Sequence, residues 1–153
     1  MKVFISWSGE VSHKVAVAFR DWLPDMIPSV KPFVSSEDIY KGSRWTTEVA
    51  KELADTSYGI LCLTLDNLDS RWLNFEAGAL SKILEHSSVS PFLFNLQVSS
   101  VDGPLAQFQS VLNDEENIFK MISSLNHKEQ SALQRSPERL RKHFEMWWPP
   151  LGP

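Results

Sequence analysis

Cysteine and long apolar runs are both scarce in this sequence, and each scarcity excludes a class of protein. Cys62 is the single cysteine among 153 residues, which excludes an internal disulfide and a cysteine-based zinc site. The best apolar run, Ile60–Leu65, is far shorter than the roughly 18 residues that a membrane-spanning helix needs. Met1–Ser6 lacks the apolar segment and cleavage site of a signal peptide and predicts a first strand instead. We therefore expect a protein of the reducing cytosol that has no membrane partner.

Basic residues are also scarce in most of the chain. Residues 1–126 hold 10 basic and 16 acidic groups, a formal charge of −6, whereas residues 127–153 hold 5 and 3, a charge of +2. Binding to nucleic acid depends on clustered lysine and arginine side chains that neutralise phosphates. The acidic body therefore argues against a nucleic-acid partner, and the basic tail is too short and too mixed to reverse this.

Several motifs of enzyme active sites are absent as well. The sequence contains no G-x-x-x-x-G-K or G-x-G-x-x-G loop for phosphates and no G-x-S-x-G nucleophile turn. Its four histidines are scattered among polar neighbours, and none is paired with another at the spacing of metal ligands. We therefore predict no metal site and expect the histidines to lie in solvent. They are His13, His86, His127 and His143.

What the chain does contain is a regular alternation of two apolar patterns within the length of one globular domain. The predicted strands are Lys2–Trp7, Val30–Ser35, Tyr58–Leu65 and Val89–Leu96. The predicted helices run from Val11 to a stop at Pro24, from Trp45 to Leu53, over Arg71–His86 and over Asn113–Leu125. This order predicts an α/β fold in which helices cover both faces of a parallel sheet. Ligands of such sheets bind beyond the carboxyl ends of the strands.

The sequence changes character from residue 127 onward. Ser136 and Pro137 have the pattern of an N-cap and a first helical residue. An apolar stripe and a proline-rich end follow, and the stripe consists of Leu140, Phe144, Trp147 and Trp148. This terminal helix either packs back on the domain or leads into a second domain. We accordingly divide the chain into a domain of residues 1–126 and a tail of residues 127–153.

Glu76 does not fit the pattern of the helix predicted over Arg71–His86. At about 100° per residue the apolar side chains fill one broad arc, and Glu76 falls near its middle, one turn after Trp72. A carboxylate on a buried face costs on the order of several kcal/mol unless it is paired or hydrated. Glu76 therefore either has a salt-bridge or amide partner, or lies at the floor of a cleft beside an indole as a functional carboxylate.

Trp72 and Glu76 form a W-x-x-x-E segment that resembles the one found in TIR (Toll/interleukin-1 receptor) domains. Val3–Ser6 is similar to the first TIR strand, although Trp7 and Gly9 depart from the polar residues that are more common after it. Asp38–Gly42 resembles the glycine-bearing BB loop that follows the second TIR strand. The resemblance covers the predicted domain without its tail, and it is to prokaryotic TIR domains.

This resemblance implies a flavodoxin-like fold whose central parallel sheet has about five strands. It also implies cleavage of the bond between nicotinamide and ribose in NAD⁺, which releases nicotinamide with ADP-ribose or a cyclic isomer. NAD⁺ is then the substrate, and no cofactor is needed. The glutamate of the motif corresponds to Glu76, which we expect to be the catalytic residue. Because nicotinamide leaves as a neutral molecule, one carboxylate that stabilises the cationic sugar is sufficient.

Six further residues are predicted to bind NAD⁺. They are Ser6, Trp7, Lys41, Arg44, Trp45 and Trp72. Ser6 and Trp7 end the first strand, where the cleft begins, and the Trp7 indole either stacks on a ring of NAD⁺ or packs at the rim. Lys41 and Arg44 either attract the pyrophosphate or belong to a solvated loop face. Trp72 either shapes the wall of the pocket or is a core aromatic residue.

Catalytic TIR domains act as assemblies, so we expect other copies to bind through the loop Asp38–Trp45 and a fused or associated sensor domain to promote assembly. Bacterial antiphage defence is the implied role, because depletion of NAD⁺ stops an infection. The alternative is a non-catalytic TIR adaptor that only binds other TIR domains, and a third interpretation is a nucleoside deoxyribosyltransferase. The position of Glu76 favours the NADase, because an adaptor gains nothing from a carboxylate there.

Overall fold

The structure is a computed structural model, and it describes residues 1–7, 9–34, 58–65, 88–97, 109–129 and 131–147. Within these ranges the chain forms five strands and three α-helices. The strands are β1 (Lys2–Ser6), β2 (Lys31–Val34), β3 (Tyr58–Leu63), β4 (Ser88–Leu93) and β5 (Val111–Leu112). The helices are α1 (Glu10–Met26), α2 (Glu115–Lys128) and α3 (Pro137–Trp147), with a 3₁₀ turn, Ser131–Leu133, between the last two.

The strands form one parallel sheet in the order β2-β1-β3-β4-β5. This confirms the predicted α/β class and is the strand order of flavodoxin-like folds. Strand β2 pairs with one edge of β1, and the next strand along the chain, β3, pairs with the other edge of β1. The carboxyl ends of β1 and β3 therefore flank the topological switch point, where ligands of such sheets bind.

One face of the sheet holds the main apolar core, which α1, α2 and α3 cover. The register pairs Ile5 with Ile60 and Cys62 with Phe92, so these four side chains lie on this face. Phe19 of α1 packs edge-on against Phe92, with 4.7 Å between the ring centroids. The other two helices complete the cover with buried residues, which are Ile118, Met121, Ile122, Leu125, Leu140 and Phe144.

The opposite face of the sheet is also buried along β3. All six residues of β3 are buried, which confirms the prediction of a strand that is covered on both faces. Leu61 and Leu63 alternate along β3 with the residues of the main core, and Phe4 stacks on Phe33 of β2 with 6.0 Å between the ring centroids. The helices predicted over residues 45–53 and 71–86 lie outside the described residues.

Helix α1 continues past the proline that was expected to end it. The prediction of a stop at Pro24 is wrong, since the helix runs to Met26. Pro24 has no N–H for the carbonyl of Arg20, so one hydrogen bond of the last turn is lost. The turn persists because Leu23 and Met26 are fully buried and the Leu23 carbonyl accepts a hydrogen bond from the Ile27 N–H at 2.9 Å.

The segment before α2 contains a strand that no sequence pattern indicated. Val111 and Leu112 pair with Phe92 and Leu93 of β4, and two residues are too short a run to show the period of a strand. The helix that follows begins at Glu115, two residues later than predicted, and continues to Lys128. Asp114 is its N-cap, and the carboxylate accepts a hydrogen bond from the Asn117 N–H at 2.7 Å.

Helix α3 begins as the sequence predicts and packs back on the domain. Ser136 precedes it, and the Ser136 Oγ accepts a hydrogen bond from the Arg139 N–H at 3.3 Å. Leu140 and Phe144 are buried in the core that α1 and the sheet also form. The ring of Phe144 contacts that of Trp22 on α1, with 6.0 Å between their centroids. A sensor domain beyond the tail stays a prediction.

Candidate functional site

The carboxyl ends of β1 and β3 separate at the switch point. The last residue pair between these strands is Ser6 with Leu61, and β3 continues for two more residues. Carbonyl groups along a strand point alternately to its two neighbours. The Leu63 carbonyl accepts a hydrogen bond from the Phe94 N–H on the β4 side at 3.0 Å, so the Cys62 carbonyl points to the β1 side.

A hydroxyl from α1 occupies the position where β1 no longer pairs. The Oγ of Ser12, which is fully buried, donates a hydrogen bond to the Cys62 carbonyl at 2.7 Å. Ser12 lies in the first turn of α1, so this bond attaches the start of the helix to the end of β3. The gap between the two strands is therefore bounded on one side by a helix whose backbone position is fixed.

The turn from β1 into α1 depends on Gly9, which is the N-cap of the helix. Its backbone has φ 92° and ψ 165°, a region that only glycine adopts without strain. The Gly9 carbonyl accepts the first hydrogen bond of the helix, from the His13 N–H at 2.9 Å. This backbone geometry is the physical reason for glycine at this position.

Trp7 lies immediately after β1, at the edge of the switch point. Its indole is half-buried and packs against the main core. The ring centroid lies 4.3 Å from that of His13, and the two ring planes are tilted by 51°. His13 is exposed, as the sequence predicts for a solvated histidine, but its imidazole also packs on Trp7. The sequence did not predict this contact.

Two residues that follow β3 reach the same edge of the sheet. Thr64 is buried, with 2% of its surface exposed, whereas Leu65 is 76% exposed, the highest value among the large apolar residues described. At the end of β4, Asn95 has a φ of 57°, the left-handed conformation that asparagine tolerates better than most residues. The carboxyl edge therefore presents the Trp7 indole, the His13 imidazole and the exposed Leu65 side chain.

The described residues include two of the predicted site residues. Ser6 is the last residue of β1 and Trp7 follows it, so both stand at the switch point. Their binding to NAD⁺ stays a prediction. The other predicted site residues and the predicted assembly loop of residues 38–45 lie outside the described residues. The residues concerned are Glu76, Trp72, Lys41, Arg44 and Trp45.

The thiol near the site is not a nucleophile. Cys62 is fully buried, and this burial raises the pKa of its thiol. A thiol in these surroundings stays protonated and therefore unreactive.

The described residues also contain no group of three or more histidine, cysteine, aspartate or glutamate side chains that could hold a metal ion. Within the same ranges, no helix has the length and apolar character to cross a membrane.

A surface depression lies at the start of α2, and Arg141 of α3 also lines it. Arg141 packs over the ring of Phe119 at 4.6 Å and forms an ion pair with Glu115 at 3.4 Å. Lys120 pairs with Glu116 at 3.3 Å, and the Asp114 carboxylate accepts a hydrogen bond from the Asn117 N–H, so each charged side chain around the depression has a partner within the chain. We therefore assign this depression a structural role.

Comparison with known proteins adds no relative. No protein-family model matches the chain, and the search of curated proteins also found no match. The functional interpretation therefore depends on the resemblance argued from the sequence and on the strand order of the described residues.

Proposed function

We propose that this chain is a TIR-type NAD⁺ glycohydrolase domain. The observation that carries the proposal is the W-x-x-x-E segment, with Glu76, in a chain whose sheet has the order β2-β1-β3-β4-β5. The position of Trp7 at the switch point of that sheet supports it, because a planar ring of NAD⁺ can stack there. NAD⁺ is thus the proposed substrate and its small-molecule partner.

The proposed reaction breaks the bond between the nicotinamide nitrogen and C1′ of the ribose. The bonding electrons leave with nicotinamide, which departs as a neutral molecule, and positive charge develops on the sugar. The Glu76 carboxylate stabilises that charge in the transition state. Water then attacks C1′ and loses a proton, which gives ADP-ribose, whereas attack by a nitrogen of the adenine gives a cyclic isomer. The remaining proposed contacts are from Ser6, Trp7, Lys41, Arg44, Trp45 and Trp72.

The proposal includes assembly. Copies of the domain bind one another through the loop of residues 38–45, and a sensor domain raises their local concentration. The proposed setting is the cytosol of a bacterial cell under phage attack, and a single buried cysteine is compatible with a reducing compartment.

The test is nicotinamide release from NAD⁺ over a range of protein concentrations. Glu76→Gln keeps the shape of the side chain but removes its charge, and Glu85→Gln is the matched control because Glu85 lies on the opposite arc of the predicted helix. We expect release to rise more steeply than protein concentration. The rate of nicotinamide release should fall by about 100-fold or more in Glu76→Gln, because loss of an electrostatic contact to the transition state has an effect of this size. The rate should be unchanged in Glu85→Gln.

Three outcomes would contradict the proposal in different ways. Release that persists in Glu76→Gln would show that the catalytic carboxylate is another residue. Absence of release even when the domains are tethered together would favour the adaptor. Exchange of bases on deoxynucleosides without loss of NAD⁺ would favour the deoxyribosyltransferase.

A further inference from the structure

His13 is the residue at the switch point that the sequence did not associate with the site. Its imidazole centroid lies 4.3 Å from that of the Trp7 indole, which is within the range of a direct ring–ring contact. The strand order places Trp7 at the edge where ligands of this fold bind. His13 therefore touches the proposed platform for NAD⁺ from the side of α1.

The backbone that carries His13 is held on two sides. The His13 N–H donates to the Gly9 carbonyl at 2.9 Å, which closes the first turn of α1. The preceding residue, Ser12, is bonded to the Cys62 carbonyl of β3 at 2.7 Å. An imidazole on a turn fixed in this way has a defined position relative to the end of β3. It can therefore restrict where the neighbouring indole lies.

We propose that His13 is a positioning residue that holds the Trp7 indole in the orientation that contacts a ring of NAD⁺. This inference rests on the proposed function and adds to it a residue that acts through Trp7. A platform that is already oriented binds its ligand with a smaller loss of side-chain entropy. The free energy of an aromatic pair contact corresponds to about a two- to tenfold preference for one orientation of the indole. His13 therefore affects the affinity for NAD⁺ more than the rate of bond cleavage.

The test compares His13→Ala with His13→Phe, which retains a planar ring beside Trp7. His127→Ala is the control, because His127 is an exposed histidine in the last turn of α2. KM and kcat for NAD⁺ are measured at one high protein concentration. We expect KM to rise about two- to tenfold in His13→Ala with kcat changed less than twofold, and to return to within about twofold of the original value in His13→Phe.

A second readout follows the indole without reference to catalysis. The Nε1–H resonance of Trp7 is assigned in a ¹⁵N-labelled protein by its loss in Trp7→Phe. We expect His13→Ala to shift or broaden this resonance, and we expect His127→Ala to leave it in place. An unmoved resonance in His13→Ala would overturn the inference, and so would a KM equal to that of the unsubstituted protein.

The two proposals fail in distinguishable ways. If the unsubstituted protein cleaves NAD⁺ and His13→Ala has an unchanged KM, only the role of His13 is wrong. A fall in kcat without a rise in KM would also overturn it. If the unsubstituted protein neither cleaves NAD⁺ nor shows a change in the Trp7 resonance when NAD⁺ is added, the proposed function is wrong and this inference is overturned with it.

Discussion

Replacement of Phe144 by alanine is expected to destabilise the whole domain. The side chain is 0% exposed, and its ring centroid lies 6.0 Å from that of Trp22 on α1 and 5.1 Å from that of Phe119 on α2. Truncation of a buried phenylalanine costs about 3–5 kcal/mol, because apolar contacts are lost and a cavity remains. In a domain of this size each kcal/mol lowers Tm by about 2–4 °C, so the loss corresponds to about 6–20 °C.

The assay is unfolding in urea followed by far-ultraviolet circular dichroism. Met146→Ala is the matched control on the same helix, because Met146 is 62% exposed, and its effect should stay within about 0.5 kcal/mol. Phe144→Leu keeps much of the apolar volume and should give an intermediate loss. A loss below about 1 kcal/mol for Phe144→Ala, with an unchanged slope of free energy against urea, would refute the reasoning. Helix α3 would then not belong to the cooperative core.

Three further predictions concern single residues of the described structure. Gly9→Ala should lower the free energy of unfolding, measured by thermal unfolding, by about 1–3 kcal/mol, because alanine is strained at the positive φ of Gly9. The control Lys14→Ala, on the exposed face of α1, should change this free energy little. Cys62 should resist a thiol reagent in the native protein and react only after unfolding, since burial raises its thiol pKa; rapid labelling of native protein would contradict this. Burial and then nearby arginine and lysine charges lower the pKa of His143 below its ordinary value of 6.5, so the unfolded chain binds its proton more readily. The free energy of unfolding should therefore be at its full value above about pH 6.5 and fall as the pH drops below it, and His143→Gln should flatten that dependence.

The sequence predicts elements well where apolar burial alone decides their structure. The apolar run that begins at Tyr58 predicts β3 at its observed start, because a strand covered on both faces needs no polar alternation. The predicted stop at Pro24 fails for the same reason, since burial of the last turn of α1 outweighs the lost hydrogen bond. Strand β5 has two residues and depends on pairing with β4, so its own sequence carries no signal.

The position of the candidate site is easier to predict than its contacts. The rule that ligands bind beyond the carboxyl ends of parallel strands locates Ser6 and Trp7 from the order of the elements alone. The contact between Trp7 and His13 depends on the backbone of Gly9, which turns the chain so that the first turn of α1 lies beside the end of β1. Residue spacing does not contain that dihedral angle, so the sequence assigned His13 to solvent only.

One wall of the proposed site is already fixed by contacts within the chain. Ser12 bonds to the Cys62 carbonyl, and Phe19 packs on β4 through Phe92, so α1 is held at its start and along its length. A wall fixed in this way is poorly suited to switch activity on and off. Under the proposed function, the dependence on assembly then enters through the predicted loop of residues 38–45. Substitution of His13 should therefore change the KM for NAD⁺ at every protein concentration. Substitutions within that loop should instead change how steeply activity rises with protein concentration, and the same steepness in loop variants and the unsubstituted protein would contradict this division of roles.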